Sequence, residues 1–321
     1  MICTVGLICV DIVSFMPEYP TEDSDHRCAE QTWERGGNAS NSATVLACMG
    51  VPVECLGTLA DDKLLKFLQD EMDSFGIKHD NCPIIPCGNG PMSVVVCAKD
   101  TGSRTIIHAK GNLPEITLSD IKKLNLKNYT WMHFEGRNEL ELPKIMQFVK
   151  EHNNEESFTR TNLSDVPNYK NTTLPVSLEV ELHIENLDKM LPLADVVLVG
   201  KDYAKLQGAT NGSEAAELMS KRVLPGTVVI CPWGDQGASY CVTSVDPKKT
   251  DIITQPVYLC ENVVDSLGAG DTFNATVIYC LSKGYDVRTS VDYACKVASL
   301  KLQIRGLKGL RDLLKHQGKL L

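Results

Sequence analysis

Asp265-Ser266-Leu267-Gly268-Ala269-Gly270-Asp271-Thr272-Phe273, near the end of the chain, joins a turn of small residues, a helix start and a carboxylate within nine positions. Gly268, Ala269 and Gly270 carry almost no side chain, so main-chain N–H groups can close on a phosphate at the positive end of the helix that follows. Asp271 stands beside that position, where an ionised carboxylate repels a polyphosphate unless it has a task. Accepting the proton of an attacking hydroxyl is such a task. The competing reading is a helix cap, with Asp271 serving only the helix through Phe273, Val277, Ile278 and Leu281.

A second glycine corner lies far upstream, at Arg35-Gly36-Gly37-Asn38-Ala39-Ser40-Asn41. Asn38 and Asn41 fall on one face of the first helical turn, and amides that both donate and accept suit neutral hydroxyl groups. Asp11, at the end of the first strand, and Asp23, in the polar stretch after it, add carboxylates that can accept from sugar hydroxyls. Taken singly these residues also fit a capped helix, a turn and a solvated strand end. Their joint occurrence upstream of Gly268-Ala269-Gly270-Asp271 favours a two-part site.

Between the corners the chain alternates strands and helices. A strand over the first ten residues leads to a polar stretch from Met16 to Glu30 and a helix from Asn38 to Met49 that stops at Gly50. A strand follows at Val53 to Leu59, then an amphipathic helix from Asp62 to Phe75 that Gly76 ends. Met92 to Lys99 and Arg104 to Ala109 flank Asp100-Thr101-Gly102-Ser103, a hairpin signal that implies an antiparallel insertion. Alternation resumes with strands at Trp131 to Glu135, Val176 to Glu181, Asp195 to Gly200 and Thr227 to Pro232. Some eight strands linked mostly by helices predict an α/β fold with a doubly wound, mostly parallel sheet, which binds ligands beyond the carboxyl ends of its strands. Glu155 to Leu174 is polar and reads as a surface loop.

At 321 residues and 43% hydrophobic content the chain can fill one large core. A net charge of −9 without a run of basic residues argues against nucleic acid or an anionic membrane as partner. The thirteen cysteines lack CxxC spacing and fall largely in apolar runs, which fits reduced thiols in a cytoplasmic protein. No basic leader precedes the first strand, and no apolar run approaches the ~20 residues that span a bilayer. His133 and Glu135, two apart on a strand, lack a third metal ligand, so a strand-end hydrogen bond is the better reading.

Gly36-Gly37-Asn38 together with Asp265-Ser266-x-Gly268-Ala269-Gly270-Asp271 resembles the PfkB/ribokinase-like family of carbohydrate and nucleoside kinases, over nearly the whole chain. Within that family the resemblance leans to the ketohexokinases, the fructose kinases, through Tyr19 to Ser24, Trp33 to Ser42, His133 to Asn138 and Gly268 to Ala275. It implies a single ribokinase-like domain whose small β-sheet lid comes from about residues 12–34 and 84–112. By the same resemblance Asp11, Gly37, Asn38 and Asn41 hold the sugar and Asp271 is the base toward its 1-hydroxyl. Asp23 would close a site from the lid, including that of a second subunit in a homodimer. Gly268, Ala269 and Gly270 would form the anion hole, and Arg104 would reach the phosphates. Gly234, Asp235, Gln236, Gly237 and Lys201 would border the nucleotide, and Cys295 would lie against adenine. ATP and Mg²⁺, the metal held mostly through water, are the implied cosubstrate and cofactor, with K⁺ a further candidate.

One stretch departs from the ribokinases, which carry Asn-x-x-Glu after the strand ending here at Gly200. This chain has Lys201-Asp202-Tyr203-Ala204-Lys205, a Lys-Asp pair similar to that of the ketohexokinases. The leading expectation is an ATP-dependent fructose kinase making fructose 1-phosphate. A ribokinase or nucleoside kinase and a non-catalytic sugar- or nucleotide-sensing scaffold are the alternatives.

Overall fold

The computed structural model describes residues 1–155, 167–260 and 262–316. Its strands are β1 (Ile2–Val5), β2 (Cys9–Met16), β3 (Glu30–Gly36), β4 (Val53–Leu56), β5 (Leu59–Ala60), β6 (Ile84–Ile85), β7 (Met92–Ala98), β8 (Arg104–Ala109), β9 (Trp131–Glu135), β10 (Val176–Val180), β11 (Val196–Val199), β12 (Val228–Pro232), β13 (Ala238–Val242) and β14 (Ile253–Gln255). Its helices are α1 (Asn38–Cys48), α2 (Leu65–Phe75), α3 (Leu118–Ile121), α4 (Leu142–Glu155), α5 (Leu187–Met190), α6 (Lys201–Leu206), α7 (Gly212–Ser220), α8 (Ala269–Ser282), α9 (Val287–Lys301) and α10 (Leu310–His316).

Eight strands form the main sheet in the order β14-β13-β12-β11-β10-β9-β1-β4. From β4 to β12 neighbouring strands are parallel, and β13 and β14 close that edge antiparallel. Parallel strands must be covered on both faces, which is why their sequences are unbroken apolar runs such as Val196-Val197-Leu198-Val199. One apolar cluster joins one face to α1, α2, α8, α9 and α10, and a second joins the other face to α3 through α7. The expected α/β, doubly wound, mostly parallel sheet is what the chain forms.

A four-stranded sheet, order β3-β2-β7-β8, stands apart from the main one. Its apolar face is small: Val13, Phe15 and Val95 pack together with Cys97 and with Leu267, a member of the C-terminal nonapeptide. The hairpin expected around Asp100 to Ser103 is its β7–β8 pair.

Four local expectations are corrected. The opening strand divides at Gly6, where a Cβ would overlap the Glu135 side chain, so β1 enters the main sheet and β2 the smaller one. The stretch Glu30 to Gly36, read as the end of a polar segment and a glycine turn, is an edge strand whose outer residues stay wet and so show no apolar run. Val53 to Leu59 is two strands, β4 and β5, in different sheets. After β12 the alternation of strand and helix gives way to the antiparallel edge strands β13 and β14, which lie outside the expected parallel pattern.

Of the expected loop from Glu155 to Leu174, residues 156–166 lie outside the described residues. Asn168–Asn171 form a 3₁₀ turn that buries Tyr169 against Trp131, ring centroids 5.9 Å apart. All thirteen cysteines are free, and among the described residues no helix is long and apolar enough to cross a membrane.

Leu178 is fully buried at the centre of β10, between β9 and β11. Leu178→Ala should destabilise the protein by about 2–5 kcal/mol through lost burial and the cavity left behind. Urea unfolding checks this, and a change below about 1 kcal/mol would mean that the site is not close-packed.

Candidate active site

Strand order reverses at β1: β4 lies on one side, while β9 and then β10 to β12 lie on the other. In such sheets the crevice beyond the carboxyl ends of the strands at the reversal is the natural ligand site. Glu135, ending β9, braces this crevice by accepting from the backbone N–H groups of Leu7, at 2.8 Å, and Ala39, at 3.3 Å. The Ala39 bond fixes where α1 begins.

Close approach explains the first glycine pair. A Cβ at Gly36 would overlap the Asp11 carboxylate, and one at Gly37, where φ is +96°, would overlap the Leu7 carbonyl. With both side chains absent, Asp11 on β2 lies against the start of α1. Its carboxylate accepts from Cys9 Sγ at 3.4 Å, and burial raises its pKa against the opposing bonds from Ser93 and Cys9.

From the first turn of α1, Asn38 Nδ2 donates to Glu181 Oε2 at 2.7 Å and to Glu179 Oε1 at 3.2 Å. One turn on, Asn41 Nδ2 donates to Asp271 Oδ2 at 2.8 Å. The two corners, separated by 230 residues in the chain, therefore meet. Gly268, at φ +74°, takes the capping position of α8 and Asp271 follows in its first turn. Because the Asp271 carboxylate bonds to Asn41, a helix cap is not what its geometry describes.

The structure adds an acidic wall. Glu179 and Glu181 at the end of β10 and Glu135 at the end of β9 surround Asp271 electrostatically, and Asn274, one turn further along α8, donates to Glu179 Oε1 at 2.9 Å. Burial first, then the charge of Glu179, holds the Asp271 carboxyl well above the ordinary carboxylate range, while the Asn41 bond pulls the other way. Glu179 is likewise held high, by burial and then by Glu181 and Glu135. Glu179 Oε2 and Asn274 Oδ1 are buried without a hydrogen-bond partner.

His133 lies behind Glu179. Its Nδ1 is 2.9 Å from Ser177 Oγ, which also accepts from Trp131 Nε1, and burial pushes its pKa down to about 4. The ring is thus neutral, 3.8 Å from Glu179 and not an ion-pair partner. His133 and Glu135 serve as the strand-end hydrogen-bonding groups expected, His133 toward Ser177 and Glu135 toward Leu7 and Ala39.

Glu179, Glu181 and Asn274 were not singled out from the sequence. Their signal was faint: two acids, Glu179 and Glu181, at the end of the otherwise apolar run that ends β10, and an amide one turn after Asp271.

On the other side of the Gly268 to Gly270 turn, Arg104 reaches from β8 and donates to Ser266 Oγ at 2.9 Å. Lys201, opening α6, sits 5.5 Å from the Trp233 ring and beside Gly234, at the start of the Gly234–Gln236 turn that Gly237 ends after β12. Asp235 is exposed on that turn. Cys295 is buried on α9, and burial pushes its thiol up to about 12. Asp23 is exposed, at φ +55°. A cleft runs along Asp11, Glu34, Asn41, Leu267, Gly268 and Leu307. Ala269 and Gly270 open α8 beside it, and a Cβ at Gly270 would meet open space.

A doubly wound sheet with a glycine turn at a helix N-terminus, a buried carboxylate beside it and two amides opposite has the parts of a small-molecule phosphotransferase. Residues 1–311 match the pfkB family of carbohydrate kinases. The chain is 35% identical to ketohexokinase of Mus musculus, covering 96% of this chain and 98% of that protein. It is 23% identical to ribokinase of Bacillus subtilis (strain 168), covering 96% and 94%. The structure of Arabidopsis thaliana ribokinase complexed with ribose and ATP superposes with a TM-score of 0.73 at 21% identity, over 98% of each chain. The chain belongs to the pfkB family of carbohydrate kinases.

Because the folded state raises the pKa of Asp271, its carboxyl is accommodated best below about pH 4 and becomes a liability as pH rises through the raised value. Asp271→Asn should therefore gain stability relative to the native protein as pH climbs from about 5 to 8. Paired thermal melts test this, and a difference in Tm that does not grow with pH contradicts it.

Proposed function

We propose that this protein is an ATP-dependent kinase that transfers the γ-phosphoryl group to the 1-hydroxyl of fructose. The hydrogen bond between Asn41 and Asp271 carries the reading, because it puts an amide suited to sugar hydroxyls beside the carboxylate in the first turn of the helix that follows the Gly268 to Gly270 turn. Fructose rather than ribose is supported by the higher identity to ketohexokinase and by Lys201-Asp202 in place of Asn-x-x-Glu.

Asp11, Gly37, Asn38 and Asn41 bind and orient the sugar. Asp271 aligns its hydroxyl and takes the proton, a role that suits a carboxylate whose basicity burial has raised. The main-chain N–H groups from Gly268 to Gly270 and the Arg104 guanidinium hold charge that develops on the transferring group, whose loose transition state leaves the protein mainly positioning and electrostatic work. Lys201, the Gly234 to Gly237 turn and Cys295 border the nucleotide. Mg²⁺ supplies charge neutralisation when it enters with ATP; the unpartnered oxygens Glu179 Oε2 and Asn274 Oδ1 fit the water shell of a hard cation. The smaller sheet acts as a lid that excludes water and pairs with a second copy. Val94, Ile106 and Ile107, which it leaves exposed, and Asp23 at its tip support that role.

A coupled ADP-release assay with fructose, ribose and adenosine should show turnover greatest with fructose; a preference for either alternative, or no turnover, overturns the assignment. Asp271→Asn should lower kcat by about 10²- to 10⁴-fold with fructose binding retained. Glu179→Gln removes the carboxyl whose charge, after burial, does most to raise the Asp271 pKa, so Asp271 ionises more easily and the acidic limb of the kcat profile moves to lower pH. A limb that stays in place or moves upward contradicts this coupling.

A further inference from the structure

Lys301 is fully buried, one of the largest side chains with no exposed surface. A buried ammonium is costly unless it is paired and hydrogen-bonded, so its surroundings indicate what it is for. It ends α9 and donates to the main-chain carbonyl of Asp265 at 3.0 Å and to Asp265 Oδ2 at 2.8 Å. The same carboxylate accepts from the backbone N–H of Gly306, at 3.0 Å, and through Oδ1 from that of Leu267, at 2.8 Å. Asp265 is thus a fixed post, and the anion-hole turn starts on it.

Leu267 anchors the other end, packing into the apolar face of the smaller sheet, and Ser266 between them accepts from Arg104. The charges of Glu34 on β3 and of Arg104 on β8 also act on the Lys301 ammonium, the first favouring it and the second opposing it. Its two acceptors, a peptide carbonyl and a carboxylate, are those a bound monovalent cation would use; here a side chain carries the charge.

We infer that Lys301 is a positioning residue for phosphoryl transfer: tethered to Asp265, its ammonium sets the Ser266 to Gly270 turn at the geometry in which the main-chain N–H groups meet the transferring phosphate. The inference rests on the kinase reading above and deepens it. Lys301 touches neither sugar nor nucleotide on this account, so its loss must appear in turnover and not in sugar affinity.

The test uses the full-length chain and whichever sugar the native enzyme turns over. If the native enzyme turns over none, the kinase reading itself fails; if it does, the Lys301 variants decide this inference alone. Lys301→Met keeps the length of the side chain and removes the charge. It should lower kcat by about 10²-fold, the scale of a small misplacement of catalytic groups, with the sugar Kd measured by calorimetry within about twofold of native. Retained kcat, or an equal loss of sugar affinity, overturns the inference. If Lys301→Met does not fold, Lys301→Ala is assayed well below its Tm with methylammonium or choline at equal ionic strength. Recovery of turnover with methylammonium alone supports the inference, and no recovery overturns it.

Discussion

The hydrogen bond from Asn41 to Asp271 joins the N-terminal turns of two helices from opposite ends of the chain, and the rest of the site depends on it. It can form only because α1 and α8 begin beside the same crevice. The start of α1 is fixed by Glu135, which accepts from Ala39, and by glycines that leave room for Asp11 and the Leu7 carbonyl. The start of α8 is fixed by Gly268 in a left-handed conformation. Both helices then aim the positive ends of their dipoles at one place.

That convergence accounts for the acidic wall. Asp271 and Glu179 share one crevice with Glu181 and Glu135, whose charges repel theirs, and burial disfavours the charge on Asp271 and Glu179 further. Two helix N-termini and the amides of Asn38, Asn41 and Asn274 offset part of this cost. The remainder keeps the Asp271 carboxyl a stronger base than a solvated aspartate, as proton abstraction from an alcohol requires. The same residues that destabilise the empty crevice therefore suit the proposed chemistry, a conflict common at active sites. Leu267 ties this crevice to the smaller sheet, so movement of that sheet would be felt at the Gly268 to Gly270 turn.

Much of this was legible in the sequence. The parallel sheet was readable because strands buried on both faces are apolar throughout, and the two corners because glycine at a helix start leaves a pattern of its own. The point of contact between the corners was anticipated as well, since Asn41 and Asp271 both lie in those motifs. What escaped notice lacks a local signature. Glu30 to Gly36 is half wet and reads as polar chain, and the break at Gly6 depends on a Glu135 side chain 129 residues later. Glu179 is an ordinary strand-end acid until β9, α1 and α8 enclose it, and Lys301 an ordinary helix-terminal lysine until Asp265 folds over it. Burial is a property of the assembled fold, and these residues acquire their chemistry from it.

The central claim is that one carboxylate faces both a sugar alcohol and the terminal phosphorus of a nucleotide. A crystal structure with fructose and a non-hydrolysable ATP analogue tests it most directly. The account requires an Asp271 carboxylate oxygen within hydrogen-bonding reach, about 2.6–3.2 Å, of the fructose 1-hydroxyl, with the γ-phosphate against the Gly268 to Gly270 turn. Fructose bound with that hydroxyl against another group, or outside the crevice between α1 and α8, would contradict it.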